Sequence, residues 1–270
     1  MRVWLPLALL TIWIILALGA HFLPLEPNVI RLERILSTPG NGSLLGFDDL
    51  GRAIDARLIV GARTSFLVSI WVVGLSVVAG TLIGTASAYR GGWWDRVTVQ
   101  LVDIFLAFPG ILLAIALAGL LGPGIGNVVI ALTAVGWVGY ARLSRAQVLS
   151  LKHREHVQAA VALGSGKWRI IRKHLLPLMM APLIVEATFG IAAVVIAEAG
   201  LSFLGLGVQP PEASWGAMIR DGTRYMLVAP HMVVAPGAAI FVVVVSVNLL
   251  GDRLRDRLDT RLATETKADL

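Results

Sequence analysis

The sequence predicts an all-α, polytopic membrane protein with six spans, on three observations. Of its 270 residues, 57% are hydrophobic and only 15% are charged, against about 25% charged in an average soluble chain. Several apolar runs approach the ~20 residues that a helix needs to cross a bilayer. The long runs lack the period-two alternation of a transmembrane barrel strand.

The spans are expected at roughly 4–23, 65–89, 98–121, 127–149, 178–205 and 232–250. Arg2 before an apolar run resembles the start of a signal peptide. The run is long, however, and Leu18 and Ala20 make a poor cleavage pattern, so a retained span is expected. The second span holds Gly80 and Gly84, followed by Ala86, Ser87 and Ala88. Such small residues let helix backbones approach closely, either between subunits or within one chain. In the third span Pro109 removes a helix hydrogen bond, so a kink is expected there, as a gating hinge or a static bend. These spans divide the chain into 1–64 (first helix plus a connecting segment), 65–250 (a five-helix core) and 251–270. The last stretch alternates charge, as an exposed helix with a disordered end does.

Lysine and arginine set the orientation. With the N-terminus inside, most of the 23 Lys and Arg fall on inner segments, and the outer ones hold only Arg31, Arg34, Arg52, Arg57, Arg63, Arg220 and Arg224. That bias puts both termini and the 150–177 loop in the cytoplasm, and 24–64 and 206–231 outside. The net charge of +6 is explained by basic residues flanking apolar spans, where they meet anionic headgroups. Nucleic acid is therefore not an expected partner, whereas membrane lipid is. No cysteine is present, which excludes disulfides and thiolate metal sites.

The most informative stretch lies between the fourth and fifth spans. Residues 151–163 are strong helix formers, Gly164-Ser165-Gly166 breaks them, Lys167 to Lys173 resume, and Leu176-Pro177 closes the stretch before the next span. Glycine suits the backbone angles of such a break. The pattern predicts a helix-turn-helix across the membrane face, and a short helix of this kind fits a groove on another protein.

Gln158-Ala159-Ala160, then Gly164, then Leu176-Pro177 resemble the EAA loop of ABC importer permeases. Gln158 stands where that family usually has glutamate, and Glu155 lies one turn earlier. Residues 46–63, Gly-Phe-Asp-Asp-Leu-Gly-Arg-Ala-Ile-Asp-Ala-Arg-Leu-Ile-Val-Gly-Ala-Arg, are similar to the segment before the second span in dipeptide, oligopeptide and nickel importer permeases. Phe47 and Ala53 depart from the usual Thr and Asp. Residues 103–109, 202–216 and 248–256 extend the resemblance over nearly the whole chain, which looks like the second of two paired permeases.

That resemblance implies the type I ABC importer permease fold, six helices with a cytoplasmic coupling helix, in a bacterial inner membrane. It implies a homologous permease partner, two cytoplasmic ATPases and a periplasmic or lipid-anchored substrate-binding protein. ATP and Mg would sit on the ATPases, with no cofactor in this chain and no enzyme activity of its own. Glu155, Gln158, Ala159, Ala160, Gly164, Leu176 and Pro177 would couple to the ATPases. The imported solute would be a short peptide, or alternatively nickel or another small solute. A reading of another class is a self-contained secondary transporter or membrane enzyme. No internal repeat of the kind such transporters carry is visible, and the docking loop favours the importer.

Ionisable residues within spans are costly and usually face a protein interior or water. Asp103 is a pathway candidate, or it pairs with Arg96 near the inner surface. Glu186 sits near that surface as well. Glu198 is deeper, and either lines the pathway with Pro109 and Asp103 or makes a buried hydrogen bond. On the outer side, Pro210-Pro211 stops one helix and Ser214-Trp215-Gly216 opens the next. Trp215 suits the headgroup interface. By the resemblance this surface faces the binding protein, with Arg220, Asp221 and Arg224 available for salt bridges; a solvated face is the alternative.

Two further patterns carry nothing. Gly164-Ser165-Gly166-Lys167 lacks the earlier glycine and following hydroxyl of a phosphate loop, since Val161 and Trp168 hold those places. His153 and His156 lack accompanying ligands, so no metal site is expected. No nucleophile-base pair is visible.

Overall fold

Apolar runs with few breakers form helices, and helices account for all the regular elements of the computed structural model, which describes residues 4–258 apart from 21 and 41. In chain order these are α1 (Trp4–Gly19), α2 (Ile54–Arg90), α3 (Gly92–Leu106), α4 (Gly110–Leu121), α5 (Ile125–Leu151), α6 (Glu155–Ala162), α7 (Lys167–Ile170), α8 (Leu176–Phe203), α9 (Trp215–Thr223) and α10 (His231–Leu258). A 3₁₀ turn at Leu32–Arg34 and a π-helical turn at Ile171–Leu175 complete the set.

Among the described residues four helical runs are long and apolar enough to cross a membrane: Ile54–Arg90, Ile125–Leu151, Lys167–Phe203 and His231–Leu258. The expected third span is a pair, α3 and α4, bent by 87°, and counts as a fifth if taken as one crossing. The bend exceeds the expected kink because α3 ends before Pro109, with the Ala107 amide donating to the Asp103 carbonyl. α4 then restarts from the Pro109 carbonyl, which accepts from the Leu112 and Leu113 amides. The expected first span is the shorter α1, of 16 residues.

Pro177 does not stop a helix. The run from Lys167 passes through the π turn into α8, with Pro177 as its second residue. Proline has no N–H to give the preceding turn and its ring crowds the carbonyl four residues back. A π turn placed just ahead absorbs that mismatch, with the Leu176 amide donating to the Ile171 carbonyl five residues earlier.

The chain forms two compact units. The expected boundaries at 64 and 250 fall inside α2 and α10. The described residues of Met1–Val72, Ala114–Leu132 and Ile191–Leu250 make the first unit. Its core gathers Leu10 and Trp13 of α1, Ile54 and Ala62 of α2, Ala192 and Val195 of α8, Trp215 and Met218 of α9, and Met232, Val243 and Val247 of α10. Trp13 meets Phe66 edge-on at 5.5 Å between ring centres. Beside this core the segment before α2 folds around Asp48. That carboxylate accepts from the Leu50 and Arg52 amides, both at 2.9 Å, and from Arg52 Nε at 2.6 Å.

Val73–Leu113, Thr133–Gly190 and the described part of Gly251–Leu270 make the second unit. Here Gly80 and Gly84 let α2 touch α5 within the same chain. A side chain at Gly80 would meet Tyr140 Cβ at 2.6 Å, and one at Gly84 would meet the Ala141 backbone. The terminal residues 259–270 of the expected tail lie outside the described residues; 251–258 continue α10.

Candidate functional site

The 150–177 segment folds as a short helix pinned on one side and open on the other. α6 spans Glu155–Ala162 and buries Val157 and Ala160. Val157 joins Ala88, Tyr140, Val148, Leu151, Ile170, Leu175, Met179 and Leu183 in one apolar cluster of the second unit. The opposite face shows Glu155, Gln158 and Ala159. Val161, Leu163 and Trp168 are exposed hydrophobics, Leu163 by 86%. Gln158 Nε2 donates to the Lys152 carbonyl at 2.8 Å, fastening α6 to the turn that follows α5.

Gly164 ends α6 in the way glycine favours. Its φ is +76° and a side chain there would meet nothing within 4 Å. The Gly164 amide donates to the Val161 carbonyl at 2.9 Å and the Ser165 amide to the Ala160 carbonyl at 3.0 Å. Together these form a Schellman closure, which needs a left-handed residue at this position. Leu176 and Pro177 begin α8 at the end of the same segment; Leu176 is half-buried and Pro177 exposed.

The pathway candidates have different surroundings. Asp103, on α3, is exposed. Among the described residues no salt bridge joins it to Arg96, also exposed, so the expected pairing is not formed. Pro109 is exposed at the α3–α4 break. Glu186 is exposed beside Phe189 and Arg255 in an open cavity of the second unit. Glu198 is sealed, with 1% exposure. Ser202 donates to its Oε1 at 2.7 Å and Ser65 to its Oε2 at 2.9 Å. Of the two roles open to it, these surroundings are those of the buried hydrogen bond.

Trp215 corrects an expectation. It is 2% exposed rather than at a surface, because the first unit closes over it. Its Nε1 donates to the Leu58 carbonyl at 2.9 Å, and its ring lies 6.5 Å from that of Trp13. Ser214 caps α9 by accepting from the Ala217 amide. Arg220 and Asp221 pair with each other at 3.2 Å and stay partly exposed. Arg224 is exposed.

Sequence reading missed a second charged node. Arg145 of α5 grips Asp95 of α3 with two prongs, Nε to Oδ1 at 2.8 Å and Nη2 to Oδ2 at 2.7 Å. Ser87 of α2 donates to the same Oδ1 at 2.9 Å. In the sequence Arg145 reads only as one of the inner basic residues that set orientation, and nothing local marks Asp95 as its partner. Among the described residues no group of three His, Cys, Asp or Glu side chains is placed to hold a metal ion. The ring of His156 lies 6.3 Å from that of His174.

Comparison with known proteins matches this arrangement. Residues 76–264 match the family model described as binding-protein-dependent transport system inner membrane component. The chain is 40% identical over 235 residues to the glutathione transport system permease protein GsiD of Pectobacterium atrosepticum, covering 87% of this chain and 78% of the relative. The protein of the same name from Shigella sonnei gives the same identity and coverage. Two inward-facing structures of the MetNI methionine ABC transporter superpose with TM-scores of 0.62 and 0.61, each at 19% identity. The alignments cover 74% and 75% of this chain and 95% and 96% of the other. At that identity the likeness bears on the fold alone, and the fold is the type I importer permease fold expected from the sequence. Matched by a family model over 76–264 and by permeases at 40% identity, the chain belongs to the binding-protein-dependent transport system inner membrane components, as a permease subunit of an ABC importer.

Proposed function

We propose that this subunit forms, with a homologous permease, the membrane path of an importer of short peptides, and that its 155–164 loop receives force from a cytoplasmic ATPase. The carrying observation is the two-faced α6. Val157 and Ala160 anchor it in the apolar cluster while Gln158, Ala159, Val161 and Leu163 stay open. A short helix with one face buried in its own chain and apolar side chains on the other suits a groove on a partner protein.

In this reading two ATPases bind ATP and Mg, and each takes one permease loop. Both termini and the loop face the cytoplasm, following the lysine and arginine bias. A periplasmic or lipid-anchored binding protein delivers the solute to the opposite face, toward the 206–231 segment, where Arg220, Asp221 and Arg224 are accessible. Trp215 has no part in that contact. Closure of the ATPases draws the loops together and rocks the spans between two access states. Relatives named for glutathione transport, at 40% identity, support peptides as the solute class, glutathione being a tripeptide.

The test is uptake into proteoliposomes holding the complete complex and its binding protein. ATP-dependent accumulation of radiolabelled di- and tripeptides, glutathione among them, is expected. Accumulation of nickel ions with no peptide uptake would overturn the solute class and leave the permease role intact.

A further inference from the structure

Asp95 joins three helices at one carboxylate. Ser87 is in the last turn of α2, Asp95 in the first turn of α3 and Arg145 in the later part of α5. All three meet there at 2.7–2.9 Å. The arginine grip is bidentate, so it fixes the relative direction of α3 and α5 as well as their distance. The pair is partly shielded, with side chains 19% and 32% exposed.

Along the rest of their contact, α3 and α5 run antiparallel. Phe105 meets Trp137 edge-on at 5.7 Å, and Val102 packs with Val138 and Ala141. Two apolar contacts and one ionic contact thus make α3 and α5 move together. α5 leads through residues 152–154 into α6, whose Val157 is buried in one cluster with Val148 and Leu151 of α5. A displacement of α6 must therefore carry the end of α5. At its other end α3 leads into the 87° break before α4.

We propose that the Asp95–Arg145 pair, steadied by Ser87, is the joint that passes displacement of the 155–164 loop to α3 and the Pro109 break. Both are positioning residues that act through the helices they join. The inference rests on the reading of that loop as the coupling element, and the experiment separates the two.

The complete complex is reconstituted with Asp95→Asn, with Arg145→Lys, with the exchange Asp95→Arg plus Arg145→Asp, and with Gly164→Leu as a loop control. Recovery of assembled complex, ATP hydrolysis, and ATP hydrolysed per radiolabelled tripeptide imported are measured. Asp95→Asn is expected to assemble at the wild-type level and to spend about tenfold more ATP per peptide. Arg145→Lys keeps the charge without the fork and falls between. The exchange restores most of the ratio. An unchanged ratio in assembled Asp95→Asn, while Gly164→Leu uncouples, overturns the joint and spares the loop. Lower assembly with an unchanged ratio makes the pair a structural tie and likewise overturns it. An unchanged ratio in Gly164→Leu overturns the loop reading and the joint with it.

Discussion

Ser65 on α2 donates a 2.9 Å hydrogen bond to Glu198 on α8, and both residues are sealed, at 0% and 1% exposure. The two are 133 residues apart in sequence. With Ser202 on the other oxygen at 2.7 Å, the carboxylate is satisfied inside its own unit. Glu198→Ala strands two buried hydroxyls and opens a void, and should lower stability by about 2–3 kcal/mol. Glu198→Gln keeps an acceptor and hydroxyls can rotate to meet its amide, so it should cost less. Thermal unfolding of the purified complex checks this. A pathway role predicts the reverse pattern, an unaltered Tm for Glu198→Ala with altered uptake.

Trp215 belongs to the same unit and should behave as a core residue. Trp215→Ala is expected to cost about 3–5 kcal/mol. Trp215→Phe loses chiefly the bond to the Leu58 carbonyl and should cost about 1 kcal/mol. Calorimetry on the two variants measures the difference. Wild-type stability in Trp215→Ala would place the ring at a surface after all.

The contact of α2 with α5 rests on Gly84. An added methyl would lie 3.0 Å from the Ala141 Cα, with backbone that cannot step aside. Gly84→Ala should destabilise by about 1–3 kcal/mol. Gly119 on α4 has nothing within 4 Å of an added methyl, so Gly119→Ala is expected to be neutral or to stabilise by up to about 1 kcal/mol. Tm values for the pair decide it, since equal shifts would contradict close packing at Gly84.

Asp49, outside the spans, gives a pH dependence. Burial, and then the neighbouring Asp48, hold its carboxyl above the ordinary value of 3.8, with Arg52 partly offsetting them. A folded-state pKa above the unfolded one means the folded state holds the proton more tightly. Stability is therefore highest at acid pH with respect to this group and falls as pH rises through the folded pKa. Asp49→Asn should raise Tm at neutral pH and make no difference below the unfolded value. A lower Tm at neutral pH would show that its contact with Arg52, at 3.6 Å, outweighs the burial.

Local signals in the chain were readable, and relationships between distant residues were not. Of the helix-forming stretch 151–163, Glu155–Ala162 is observed as a helix while 152–154 turn instead, and the break at Gly164 is the left-handed turn glycine allows. Both depend on nearest neighbours. The two glycines of α2 left subunit contact and internal packing open, because small residues announce close approach and not its partner. Trp215 was misplaced because tryptophan suits both a headgroup interface and a core, and only tertiary packing chooses. Asp95 and Arg145, 50 residues apart, carry no local mark of their pairing. The Pro109 position was legible as a bend, but its size depends on where α3 stops and α4 restarts.

ATP hydrolysed per peptide imported by the reconstituted complex, compared between wild type, Gly164→Asn and Gly164→Leu, bears most directly on the loop. At φ +76° a branched aliphatic residue is strained by roughly 1–2 kcal/mol, while asparagine tolerates that conformation. Open space around the site keeps steric clash out of the comparison. If the loop couples, Gly164→Leu assembles and hydrolyses ATP with little uptake, and Gly164→Asn stays close to wild type. Substrate-driven uptake at the wild-type ratio in Gly164→Leu would contradict the coupling role of residues 155–164.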